Sequence, residues 1–274
     1  MISFYKKSCG LLAVGCEKSL EARSSFPRCQ KHFMNFNNIL FIDIETASQF
    51  ENYQHLPEDW KDLWNYKANQ LIRNKESETV ETIYERAGIY AEFGKIICIS
   101  CGCLQSAGQE KKLVLKTFFA NNETQLLQEF SDMLKKWSHD NSKFLCAHNG
   151  KEFDYPYICR RMVINGLSVP EILQIAGRKP WDVRHLDTLE LWKFGDYKSY
   201  TSLKLLARVL GINSPKDDID GSQVNSVYWN EKDINRIVNY CQKDVITLAQ
   251  IFLRLHCEPL IKTENISIKD VQLD

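Results

Sequence analysis

The sequence predicts one α/β domain built on a mixed, five-stranded sheet flanked by helices, with a helical insertion after the first strand. Pattern, length and composition carry that expectation. Short β-favouring apolar runs alternate with stretches of helical period, and no internal repeat or low-complexity linker interrupts them. At 274 residues the chain is long enough to bury a sizeable core, and an apolar share of 44% is that of an ordinary globular protein.

The first strand is Asn38-Ile-Leu-Phe-Ile-Asp-Ile-Glu-Thr46. Side chains alternate along a strand, so Asp43 and Glu45 share one side while Ile42 and Ile44 point into a core. Two like charges this close resist joint ionisation, and a hard divalent cation is the usual remedy. Next comes the insertion, with Trp60, Leu63, Trp64, Ala68, Leu71 and Ile72 at helical spacing behind Pro57. Thr79 to Ala87 reads as a second helical stretch, with Val80, Ile83, Tyr84 and Ala87 on one side. Its aromatic stripe fits either a core or a base-stacking platform.

Strands are expected at Lys95 to Gly102 and Leu113 to Phe119, and Asn122 caps a helix running to Trp137 with Leu126, Leu127, Phe130, Met133 and Leu134 inward. Lys143 to Ala147 is a fourth strand. Asp154 to Asn165 is a helix ended by Gly166. Arg184 to Asp187 makes the fifth strand, and Asp187-Thr-Leu-Glu190 has the form of a capping box. Thr201 to Leu210 is a helix stopped by Gly211, and a long helix covers Asn230 to Leu255.

Composition narrows the function. Lysine plus arginine and aspartate plus glutamate both number 35, so the chain carries no net charge and does not coat nucleic acid electrostatically. An enzyme that grips a short strand locally is still allowed. No apolar run reaches membrane-spanning length, so no membrane partner is expected. The ten cysteines have neither disulfide-framework nor zinc-site spacing, which points to buried thiols and the reducing cytosol. Residues 1–35 read differently from the rest. Lys6-Lys7 before Gly10-Leu-Leu-Ala-Val-Gly-Cys16 faintly resembles a lipoprotein signal, but its apolar stretch is too short. A disordered extension, or a natural start at Met34, is the expectation. The domain then spans 36–262, with a tail over 263–274.

Two further constellations hold acids. In His148-Asn-Gly-Lys-Glu-Phe-Asp-Tyr-Pro156, Asp154 opens a helix, where it serves either as an N-cap or as a ligand. In Asn239-Tyr-Cys-Gln-Lys-Asp-Val245, Tyr240 and Asp244 lie four apart and share a helix face. Asp244 reads as a solvated acid near Lys243 or, with Tyr240, as part of a site.

In order, these motifs resemble the DEDDy branch of the 3′–5′ exonucleases in the DnaQ-like, ribonuclease H-like superfamily. The nearest likeness is to stand-alone predicted exonucleases related to the proofreading domain of family B DNA polymerases. Glu92-Phe-Gly-Lys-Ile-Ile-Cys-Ile-Ser100 and Ser202-Leu-Lys-Leu-Leu add to it, and the resemblance covers about Phe36 to Leu255. It implies a ribonuclease H-like fold and hydrolysis of phosphodiester bonds at a nucleic-acid 3′ end, single-stranded DNA favoured.

Two divalent cations, Mg2+ or Mn2+, about 4 Å apart would generate the hydroxide and stabilise the departing oxygen. Such ions want oxygen ligands. By the resemblance Asp43 bridges both ions, Glu45 and Asp244 complete the site nearest the water, Asp154 holds the second ion, and Tyr240 orients the nucleophile. The same resemblance puts Thr46, Asn149 and Phe153 beside the terminal nucleotides. Lys151, Arg160 and Arg161 fit either phosphates or a solvated face.

The rivals are a silent nucleic-acid-binding or scaffold domain and an exoribonuclease. A polymerase or repair partner would be needed for proofreading in trans. A dehalogenase-type phosphatase fails because Glu45 and the immediately following Thr46 break its nucleophile motif. A calcium loop at Lys216-Asp-Asp-Ile-Asp-Gly221 fails because Lys216 takes the first ligand position and Val227 the last.

Overall fold

The computed structural model describes residues 35–72, 77–107, 110–140, 142–179, 182–196, 200–213 and 218–269. The amino-terminal extension up to residue 34 and Lys216 lie outside these residues.

A six-stranded mixed sheet runs in the order β5-β4-β1-β2-β3-β6. The strands are β1 (Ile39–Ser48), β2 (Gly94–Ala107), β3 (Glu110–Phe118), β4 (Phe144–Ala147), β5 (Leu186–Asp187) and β6 (Ile266–Lys269). β2 pairs antiparallel with β1 and β3, while β4 lies parallel to β1, β5 to β4 and β6 to β3. Five of the strands were expected. The sixth comes from the stretch expected as a tail, where Ile266 to Lys269 pair with Leu113 to Lys116.

β1 is buried on both faces, which is why it reads as a nearly unbroken apolar run. Leu40, Ile42 and Ile44 meet α2 (Glu123–Trp137) and α3 (Asp154–Ile164) through Leu126, Phe130, Tyr155 and Ile158. Ile39 and Phe41 face the other way, against Val245, Leu248 and Phe252 of the last helix. Asp43 and Glu45 continue this second face, so their surroundings are set by that helix.

The insertion folds around its own cluster. Its helix α1 (Glu58–Leu71) buries Trp64 and Ala68 against Ile83, Tyr84 and Ala87 of a tight 3-10 segment, Thr82–Ile89. The aromatic stripe is therefore core. Leu63 is 58% exposed and Leu71 37%, against expectation, because the buried stripe runs through positions 60, 64 and 68 and leaves their flank to solvent. Gly88 seats this unit on β1, since a Cβ there would lie 2.9 Å from the Ala47 carbonyl carbon. The Tyr157 hydroxyl closes the joint by donating to the Gly88 carbonyl at 2.7 Å.

Asn122 caps α2 as expected, accepting from the amides of Thr124 and Gln125. Arg161 is 4% exposed, so it is no phosphate contact. Its guanidinium is paired with Glu123, with Nε 2.8 Å from Oε1, and donates from Nη1 to the Ala91 carbonyl at 2.8 Å. A buried arginine needs such a partner, and the pair ties α3 to α2 and to the start of β2. The chain then makes α4 (Thr188–Lys193), α5 (Leu203–Val209) and a short α6 (Val224–Ser226), which leads into one π turn at Val227–Glu231. That turn ends at Lys232 with φ 58, and Asp233 caps α7 (Ile234–Leu255) by accepting from the Arg236 amide. α7 thus begins four residues later than its apolar pattern suggests.

Candidate active site

The acids meet where the sheet face carrying Phe41 runs out of apolar cover. Val245 and Leu248 of α7 pack on the aliphatic part of β1, and one turn earlier Tyr240, Cys241 and Asp244 lie over the acidic part. Asp43 and Glu45 sit opposite Ser100 and Cys98 of β2, and a bulge after Glu45 ends the regular alternation. The Cys241 sulfur donates to Asp43 Oδ2 at 3.3 Å. Ligand atoms of Asp43, Glu45 and Cys241 all lie within 4.8 Å of one another.

Asp154 arrives from the opposite side of the strand end. The β1–β4 ladder stops at the pair Phe41 and Cys146, and beyond it the Ile44 amide hydrogen-bonds the Asp154 carboxylate. Phe153, not Asp154, occupies the cap position of α3, and no side chain caps that helix. The cap reading of Asp154 is thereby replaced: its carboxylate is spent on β1 and faces the same cleft. That cleft, of about 620 Å³, is lined by Asp43, Asp154, Tyr240 and Asp244 together with Asn149 and Phe153.

Electrostatics reports the crowding. Burial, then Asp244, then Asp154 push the Asp43 carboxyl well above its ordinary value. Glu45 is raised by burial and then by Asp43 and Asp244. Burial lifts Asp154 to about 7 despite the two backbone amides that favour its charge. Tyr240 is held protonated by burial and by Asp244, Glu45 and Asp43, and its hydroxyl hydrogen-bonds Asp244. Four carboxyls that cannot all ionise in one another's company are a donor set in need of positive charge. Their oxygens suit hard divalent cations.

Of the remaining expected residues, Asn149 adopts φ 62 at the Asn-Gly turn on the cleft wall, where asparagine tolerates the left-handed region. Phe153 also packs on Tyr157, with ring centroids 5.4 Å apart. Thr46 stands apart. Its hydroxyl hydrogen-bonds Tyr157, and it is not among the cleft-lining residues.

Sequence reasoning missed several participants. His148 lines the cleft, bound to the Thr188 hydroxyl at 2.9 Å and the Thr201 carbonyl at 2.8 Å, and burial lowers its pKa so that it stays neutral. Tyr200, Lys204 and Asp220 line it too. Lys204 stands in the Ser202-Leu-Lys run, whose sequence alone gives it no role. Asp187 does more than cap α4. It accepts from the amides of Asn149 at 2.9 Å, Lys151 at 3.2 Å and Leu189 at 2.9 Å, fastening the turn that leads into Asp154. Cys241 lay in plain view between Tyr240 and Asp244, but nothing local marked it as touching Asp43.

Residues 89–266 match the family described as "Predicted 3'-5' exonuclease related to the exonuclease domain of PolB". The chain belongs to this family. The matched stretch contains Asp154, Tyr240 and Asp244, while Asp43 and Glu45 precede it. Among solved structures, the chain is similar to a family B DNA polymerase from the hyperthermophilic archaeon Pyrobaculum calidifontis, at 16% identity and a TM-score of 0.44. That likeness covers 78% of this chain and 24% of the polymerase, so the chain spans about a quarter of the polymerase's length. No curated protein matches the sequence. The mixed sheet flanked by helices agrees with the ribonuclease H-like fold expected from the sequence, with a sixth strand on its edge.

Proposed function

We propose that this protein removes nucleotides from the 3′ end of nucleic acid, single-stranded DNA favoured, with divalent cations held by Asp43, Glu45, Asp154 and Asp244. One observation carries the reading: Asp43 of β1, Asp154 of α3 and Asp244 of α7 line one ligand-sized cleft with Glu45 against Asp43, each of Asp43, Glu45 and Asp154 is raised in pKa, and Tyr240 is bonded to Asp244. The family's relation to a polymerase exonuclease domain supports DNA as the substrate.

When bound in such a cage, two Mg2+ or Mn2+ ions lower the pKa of the attacking water and offset charge on the departing 3′ oxygen. Asp43, which feels both Asp244 and Asp154, would be the acid shared by both ions, with Glu45 and Asp244 holding one and Asp154 the other. The phenol of Tyr240, kept protonated by its acidic neighbours, orients the water from the Asp244 side. Asn149 and Phe153 flank the terminal nucleotide, and Thr46 steadies the wall through Tyr157. The reading includes the reducing cytosol, where Cys98 and Cys241 stay as thiols. Cell fractionation checks this, and recovery in an oxidising compartment would reject it.

The test offers end-labelled DNA and RNA, each single-stranded and recessed, with and without Mn2+. Metal-dependent release of mononucleotides from the 3′ end, absent in Asp43→Ala with unchanged circular dichroism, is the expected result. Preference for RNA would make the protein an exoribonuclease. Wild type and Asp43→Ala degrading every substrate equally poorly would leave a binding or scaffold domain of the same fold.

A further inference from the structure

The all-oxygen cage has a sulfur floor. Cys241 projects from α7 with its sulfur 3.3 Å from Asp43 Oδ2 and 3.5 Å from the Asp43 carbonyl. Cys98 comes from β2, directly opposite Glu45 in the ladder. Both cysteines are fully buried, and their thiols are in hydrogen-bond contact with each other. Asp43, Glu45 and Cys241 therefore bring one ligand atom each within 4.8 Å of one another, and Cys98 lies against Cys241. Asp43 does not belong to the sulfurs alone, because it also lines the cleft.

The chemistry of that donor set differs from the one above it. Mg2+ and Mn2+ bind carboxylates and leave a thiol protonated, whereas Zn2+ and Cd2+ take sulfur and oxygen together in four-coordinate sites. We propose that Asp43, Glu45 and Cys241, with Cys98 beside them, form a site for a thiophilic divalent cation that shares Asp43 and Glu45 with the exonuclease cage. As the metal–sulfur bond forms, the Cys241 proton passes to solvent, with no change of oxidation state. Occupation of this site withdraws two of the four carboxylates, so Zn2+ or Cd2+ is an inhibitor that competes with the hard ions. The inhibitory consequence rests on the exonuclease reading. The site itself does not.

The experiment titrates the full chain with Co2+ and with Cd2+ and follows thiolate-to-metal charge-transfer absorption. Wild type should develop a saturable band. Cys241→Ser should lose it, Asp43→Asn should weaken apparent affinity about tenfold or more, and Cys257→Ser, at an exposed cysteine, should leave it intact. Excess Mn2+ should raise the Co2+ concentration that half-saturates the band in wild type, a readout that needs no variant to fold. A band that survives in Cys241→Ser belongs to other thiols and overturns the proposal, as does a Co2+ half-saturation point that excess Mn2+ does not raise. A Cys241-dependent band in a protein without nuclease activity keeps the site and removes the exonuclease reading. Nuclease activity without such a band does the reverse.

Discussion

Replacing Asp154 by asparagine should stabilise the protein when divalent cations are absent. Asp154 is 5% exposed, and burial lifts its carboxyl from an ordinary 3.8 to about 7. A folded-state pKa above the unfolded one means that folding takes up a proton. The stability tied to that proton is whole below about pH 4, falls as the pH climbs, and is gone above about pH 7. A gap of roughly three pH units corresponds to about 4 kcal/mol as an upper limit. Asparagine keeps the size and an acceptor for the Ile44 amide but no charge, and a weaker hydrogen bond takes back part of the gain. About 2 kcal/mol is then the working figure, or roughly 4–8 °C in Tm for a domain of this size. The assay is thermal unfolding by circular dichroism of chelator-treated wild type and Asp154→Asn at several values between about pH 4 and pH 8. The variant's advantage should start near zero, grow toward pH 7 and level off. Adding Mn2+ should reverse the order, because the ion binds the folded wild type better. A variant no more stable than wild type at pH 8, or an advantage that ignores pH, would refute the claim that Asp154 is a buried acid lacking its counter-charge.

Other outcomes follow from single contacts. Tyr240→Phe keeps the ring and removes the hydroxyl bonded to Asp244, so turnover should fall about ten- to a hundredfold with the fold unchanged; wild-type turnover would deny the hydroxyl a part. Asp187→Ala strips three backbone amides of their acceptor and should cost about 1–3 kcal/mol in urea unfolding. Asp187→Asn should recover part of it, and equal losses for the two would place the effect elsewhere. Arg161→Met leaves Glu123 buried without its partner and should lose about 3–5 kcal/mol, while the double change with Glu123→Gln should recover much of that. Additive losses in that double variant would break the pairing argument.

What was legible in the chain was whatever is decided within a few residues. The alternation around Asp43 and Glu45, the Asn122 cap, and the i,i+4 pairing of Tyr240 with Asp244 all appear where local pattern puts them. Contacts decided by distant segments were not. Arg161 fits either a phosphate contact or a solvated face until Glu123 arrives from α2 and buries it, and Asp187 looks like a simple cap until the Asn149 turn folds over it. Leu63 fits the apolar period of α1 yet faces water, because the small insertion offers only one seam to bury against. Cys241 is silent in sequence for the same reason: its meaning lies in Asp43, 198 residues away.

The strand β6 has a practical bearing on how the protein is cut. Its four residues lie alongside β3 after the long helix has ended, and on the sequence pattern a cloner would set the stop codon just before them. Such a truncation leaves the outer rim of β3 from Leu113 to Lys116 with open amides and carbonyls, an invitation to pair with a neighbouring molecule. Insoluble material from that shortened gene, and soluble material when Ile266 to Lys269 are restored, would trace directly to the missing rim.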